Sequence, residues 1–69
     1  MVGDHTHVAP GAILCGGATI GNDCWIGAGA VVAQYVRVPA RCIVGAGAVV
    51  PSDLPGVGTY VGVPARRLQ

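Results

Sequence analysis

The chain of 69 residues has no lysine and no phenylalanine, and charged residues make up only 10% of it. Its basic residues are four arginines, and the net charge is +1. No basic run interleaved with aromatics is present, which argues against a nucleic-acid surface. Without lysine there can be no G-x-x-x-x-G-K phosphate loop. Hydrophobic residues reach 52%, but aromatics only 4%, and Ala and Val dominate. A core built from such small side chains is thin, and a chain of this length is marginal alone. Oligomerisation or a neighbouring segment is therefore expected.

Long apolar runs are also missing, although the mean hydropathy is +0.62. The uncharged stretch near the middle, residues 24–36, is too short for a spanning helix of roughly twenty residues. It is also rich in Gly and β-branched residues. No basic segment precedes an apolar run at the start, so no signal peptide is visible and a cytoplasmic location is expected. The cysteines, Cys15, Cys24 and Cys42, are odd in number and lack metal-type spacing. In a reducing compartment they read as free thiols.

What the chain does contain is a period. Every sixth residue from Val2 is aliphatic: Val2, Val8, Leu14, Ile20, Ile26, Val32, Val38, Val44 and Val50. The residue after each is small or proline. The residue four after each is small or medium-sized and uncharged, from Thr6 through Cys24 and Cys42 to Leu54. Neither a helix nor an ordinary strand repeats at six. A short strand followed by a turn does. Side chains two apart in a strand share a face, so the aliphatic and the small residue two before it both point inward. Gly or Ala after the aliphatic is expected to make a sharp corner with unusual dihedrals. Polar residues fall elsewhere, at Asp4, Asn22, Asp23, Gln34, Arg41 and Ser52.

This is the hexapeptide pattern of a parallel β-helix, an all-β fold. Three hexads close one triangular coil, so a turn takes eighteen residues and neighbouring coils stack at about 4.8 Å. One domain is expected, with coils at residues 2–19, 20–37 and 38–55 and a closing segment at 56–69. Known hexapeptide-repeat folds wind left-handed, an exception to the usual crossover hand; periodicity alone does not fix the hand. Cys24 and Cys42 should stack on one inner wall. The word "GAGAVV" at residues 27–32 and 45–50 then marks one side of the triangle written twice. It begins like a dinucleotide fingerprint but lacks the third Gly, the helix and the later acidic residue.

"VGDHTHVAPGAILCGGATIGNDCWIGAGAVV" with "VGAGAVVPSDLPGVGTYVGVPARRL" resembles the C-terminal half of hexapeptide-repeat acyltransferases. Among them it is most similar to the sialic acid O-acetyltransferase group, which includes N-acetyltransferases of UDP-4-amino sugars. The resemblance covers nearly the whole chain. It implies a left-handed β-helix that binds acetyl-CoA as co-substrate, without a metal, and transfers acetyl to a sugar or nucleotide-sugar amine or hydroxyl. It implies a homotrimer with sites in the grooves between neighbours, and no nucleic-acid or membrane partner. By motif position, Ala28 and Ala46 would meet the pantetheine arm, Gly16 is a weaker contact, and His7 would meet the thioester end. Arg66 and Arg67 are candidates for the ADP phosphates, since Arg recognises phosphate well.

Acetyl transfer requires a base to take the nucleophile's proton, most often a histidine. The family's base lies in an "E-H-[DE]" segment about nine residues before the match to His7, which falls ahead of Met1. No residue inherits that role; His5, next to Asp4, is the weak candidate for a substitute. Weak or absent turnover is expected of this chain, because losing a base typically lowers the rate about 10²–10⁴-fold. Two other classes fit the sequence poorly. A γ-carbonic-anhydrase-like zinc site needs three histidines, and the chain has 2. An ice-binding surface needs ranks of outward Thr, which Thr6, Thr19 and Thr59 do not form. A non-catalytic assembly or capping module is the remaining alternative. Trp25 and Tyr35, outside the inward positions, are expected at subunit contacts.

Overall fold

The computed structural model describes residues 1–68. Ten short strands follow one another: β1 (His7–Val8), β2 (Ile13–Leu14), β3 (Thr19–Ile20), β4 (Trp25–Ile26), β5 (Val31–Val32), β6 (Arg37–Val38), β7 (Ile43–Val44), β8 (Val49–Val50), β9 (Thr59–Val61) and β10 (Arg66–Arg67). They form the three sides of a left-handed parallel β-helix. Side one is β1-β4-β7-β9-β10, side two is β2-β5-β8, and side three is β3-β6. A bridge from Val2 to Ile20 extends side three by one rung. Pairing joins His7 to Trp25, Ile13 to Val31, Thr19 to Arg37 and Trp25 to Ile43. Each step advances eighteen residues, as the period requires.

The aliphatic of each hexad points inward. Ile26, Val32, Val44 and Val50 are fully buried, while Val2 and Val8 in the first coil stay 44% and 37% exposed because no rung covers them. Each fully buried aliphatic stabilises the fold by about 1.5–3 kcal/mol relative to exposure. Cys24 and Cys42 are both buried on the same inner wall and remain free thiols. Their Sγ atoms donate to Pro39 O at 3.0 Å and to Gly56 O at 3.3 Å.

The corners differ from expectation in one respect. Positive φ falls three residues after the aliphatic, at His5, Gly11, Gly17, Asp23, Gly29, Tyr35, Arg41 and Gly47. It does not fall on the residue directly after. The corners after sides one and two are four-residue turns closed by bonds such as Ala30 N to Gly27 O at 3.2 Å, whereas at the corner after side three Cys24 N donates to Thr6 Oγ1 at 3.2 Å. A turn with positive φ at its third residue is the type II arrangement. The glycines directly after the aliphatics serve another need. A Cβ on Gly27 would lie 2.5 Å from Ala46 N, and one on Gly21 would lie 2.5 Å from Ala40 N. They let consecutive coils approach.

Past Val50 the phase changes. Val44 pairs with Tyr60, sixteen residues on instead of eighteen. Tyr60 is buried, with Leu54 beside it in the core cluster, and its hydroxyl donates to Gly56 O at 2.7 Å. The closing segment thus covers the last coil, and β10 returns antiparallel on β9. Residue 69 of that segment lies outside the described residues. No helix among the described residues is long and apolar enough to cross a membrane.

Candidate functional site

The three corners of the prism carry different chemistry. The corner between sides three and one holds His5, Asp23 and Arg41 at its positive-φ positions, and the one between sides two and three holds Gly17 and Tyr35. The corner between sides one and two is built from residues 9–12, 27–30 and 45–48, which read APGA, GAGA and GAGA. Its positive-φ column is glycine in every coil: Gly11, Gly29 and Gly47. No local crowding demands this. A Cβ on Gly29 or Gly47 would meet nothing within 4 Å. The positive φ favours glycine at this turn position, although Asp23 and Arg41 adopt φ of 56° and 60° at the equivalent place. This corner is bare backbone facing outward.

The same corner offers unpaired donors. Ala28 O accepts from Gly47 N at 2.8 Å, but the N–H groups of Ala28 and Ala46 have no partner among the described residues. Pro10, their counterpart in the first coil, has no N–H to give. Two outward donors therefore stand one rung apart, at about the 4.8 Å inter-strand spacing. A polar chain lying along this edge could pair with both.

His7 lies at the head of this edge, on the strand that leads into residues 9–12. It faces outward in a column with Trp25 and Ile43, its successors in register. Its ring stacks on Trp25, with centroids 4.2 Å apart and planes inclined by 22°. Arg66 lies at the foot. Side chains directly opposite in an antiparallel pair share a face. Arg66 opposes Val61 and Arg67 opposes Tyr60, which is buried. Arg66 therefore shares the outer face with Val61, next to Gly45, whose Cβ would lie 2.9 Å from Val61 Cγ1. Arg67 is directed across the end of the prism. Both border a cavity of about 670 Å³ lined also by Ser52, Asp53 and Tyr60. From β1 to β10 is four rungs, about 19 Å at the usual spacing, in a molecule 24 Å in its longest dimension.

Two sequence-derived candidates lie elsewhere. Gly16 sits on the corner between sides two and three, where its carbonyl accepts from Tyr35 N at 3.0 Å. His5 sits on the corner between sides three and one, its Nδ1 3.9 Å from Asp23 Oδ1, with both side chains exposed. Burial pushes the Cys42 thiol up from its ordinary range. Among the described residues no cluster of three or more His, Cys, Asp or Glu could hold a metal ion. Sequence reasoning missed the glycine column and the His7–Trp25 stack. Both were visible as residues eighteen apart in the outward phase.

Comparison with known proteins agrees with this architecture. The pattern of the family "Bacterial transferase hexapeptide (six repeats)" matches residues 1–34 and 17–52. The acetyltransferase domain of PglB from Neisseria gonorrhoeae is 39% identical, with a TM-score of 0.94 over 97% of this chain and 33% of that one. The same domain is known in complex with acetyl coenzyme A. PerB from Caulobacter crescentus, in complex with CoA and GDP-perosamine, is 40% identical with a TM-score of 0.94, over 99% of this chain and 33% of that one. A maltose O-acetyltransferase from Clostridium difficile, 19% identical with a TM-score of 0.71, shares the fold. The chain spans about a third of the length of PglB's domain and of PerB. No match was found among curated protein sequences.

Proposed function

Because the chain belongs to the bacterial hexapeptide transferase family, we propose that it binds acetyl-CoA along its bare corner and serves acetyl transfer to a sugar or nucleotide-sugar amine or hydroxyl. One observation carries this above all. The corner keeps glycine in every coil although no neighbour crowds Gly29 or Gly47 and another corner carries side chains at the same turn position, and it exposes the unpaired N–H groups of Ala28 and Ala46. Those donors would pair with carbonyl oxygens of the pantetheine arm. His7 at the head would meet the thioester end. Arg66 at the foot would meet the phosphates, and Arg67, on the other face of β10, would contribute less. The complexes of PglB with acetyl coenzyme A and of PerB with CoA and GDP-perosamine support the ligand class.

Acetyl-CoA supplies an activated carbonyl, and the chain's own contribution is to hold and orient it. Proton removal from the acceptor is a separate task. His5 is exposed and lies on a different corner, so turnover by this chain alone is weak or absent. The outward residues of sides one and two support assembly as a trimer. Trp25, Ile43 and Ile13 are 51%, 46% and 55% exposed, whereas side three presents Thr19 and Arg37. Gly16 would enter a site only from a neighbouring protomer, because it lies off the corner used by Ala28 and Ala46.

Isothermal titration with acetyl-CoA tests the binding claim. Saturable heat is expected, and its absence at millimolar ligand would favour a non-catalytic assembly module. Sedimentation at micromolar concentration tests the trimer; a monodisperse monomer would refute it.

A further inference from the structure

We infer that Trp25 is a positioning residue for His7: its indole holds the imidazole at the head of the bare corner, where the acetyl group would lie. The inference rests on the acetyl-CoA reading above. His7 and Trp25 are register partners on adjacent parallel strands, so their outward side chains start one rung apart. The rings then lie 4.2 Å apart and only 22° from parallel. Aromatic pairs usually sit at about 4.5–7 Å, so this contact is close.

Nothing else orients the imidazole. His7 is exposed, and neither ring nitrogen has a hydrogen-bond partner among the described residues. An exposed histidine with no partner samples several rotamers, and a ligand must then restrict it at an entropic cost. Stacking removes that freedom beforehand and leaves the ring nitrogens available. Ile43 occupies the next rung below Trp25 on the same outward column, so the indole stands in the middle of a column. Tyr35 makes a useful contrast. A Cβ on Gly17 would lie 2.3 Å from its ring, so the other outward aromatic covers glycine backbone and aligns no functional group.

If Trp25 positions His7, it strengthens the contact to the acetyl group but not to the rest of the coenzyme. The expected preference for acetyl-CoA over CoA is about three- to tenfold, the worth of one hydrogen bond.

Two measurements test this. In proton NMR of the free protein, the His7 ring protons should lie upfield of those of exposed His5. That displacement should vanish in Trp25→Leu and persist in Trp25→Phe. Calorimetric titration with CoA and with acetyl-CoA should then show the preference in the native chain and in Trp25→Phe. In Trp25→Leu and in His7→Ala the preference should be lost, with no further loss of preference in the double variant. An absent ring-current displacement overturns the inference. So does equal affinity for the two ligands in the native chain, or a Trp25→Leu variant that loses both affinities alike. Those results leave binding itself intact. Failure of the native chain to bind either ligand overturns the acetyl-CoA reading, and the inference falls with it.

Discussion

Replacing Gly29 and Gly47 together by asparagine separates what the fold needs from what the ligand needs. Both glycines adopt φ near +70°, and neither position is crowded. Asparagine tolerates the left-handed region better than most residues. The chain already places His5, Asp23, Tyr35 and Arg41 in equivalent dihedrals. Each substitution should therefore cost about 1 kcal/mol or less. For 69 residues the unfolding entropy makes that about 7 °C of Tm per kcal/mol. The double variant should still melt cooperatively, lower by no more than about 14 °C. Its new side chains stand beside the N–H groups of Ala28 and Ala46. Loss of one or both of those contacts, at about 1 kcal/mol each, should weaken acetyl-CoA binding by about 5–30-fold. Calorimetric titration below the new Tm reads this directly. Asp23→Gly with Arg41→Gly, on another corner, is the control and should bind as the native chain does. A folded Gly29→Asn, Gly47→Asn variant that binds acetyl-CoA within twofold of native affinity would refute the clearance reasoning.

Other expectations follow from the same geometry. Gly27→Ala places a methyl 2.5 Å from Ala46 N and 2.8 Å from Gly45 C. The obstructing atoms are backbone of the next coil and cannot yield, so the loss should reach about 3 kcal/mol, the upper part of the overpacking range, and lower Tm by about 20 °C in a melt followed by circular dichroism. Arg66→Ala should weaken acetyl-CoA binding by about tenfold, one charge-assisted contact, in calorimetric titration. Arg67→Ala should weaken it less; equal effects would contradict the face assignment on β10. The raised Cys42 thiol binds its proton more tightly folded than unfolded. Stability is therefore fully present below about pH 8.5 and declines as pH rises above it, by at most about 1.4 kcal/mol per pH unit. Denaturant melts between pH 7 and 10 should show that decline, and Cys42→Ala should flatten it.

The period of six was enough to read the fold. Nine aliphatics without a slip dictate the inward face, and the eighteen-residue register between His7, Trp25 and Ile43 follows directly. The end of the helix was less legible. Tyr60 comes two residues early relative to Val44, and no periodic rule reports a shortened coil. The dihedral role of the corner glycines was also misplaced. The positive-φ column contains Gly, His, Asp, Tyr and Arg, a mixture with no sequence signature. The column directly after the aliphatics is uniformly small and attracted the reading instead. Gly16 shows a related limit. Motif position put it in the same set as Ala28 and Ala46, yet counting modulo eighteen puts it on another corner.

The two glycines of each "GAGA" therefore obey different constraints. Gly27 is buried between coils, and Gly29 stands clear of every neighbour. A fold under packing pressure alone would require only the first. The corner at residues 3–6, 21–24 and 39–42 shows what this chain puts in the positive-φ column where only the fold must be satisfied: His5, Asp23 and Arg41. All three carry side chains that project outward and are exposed. Glycine suits the positive φ of Gly11, Gly29 and Gly47 next to His7, yet the His5, Asp23 and Arg41 column shows that this fold also accepts side chains at that turn position. Clearance for the proposed ligand is consistent with glycine in all three coils, and equally with alanine, not a longer side chain, at Ala28 and Ala46.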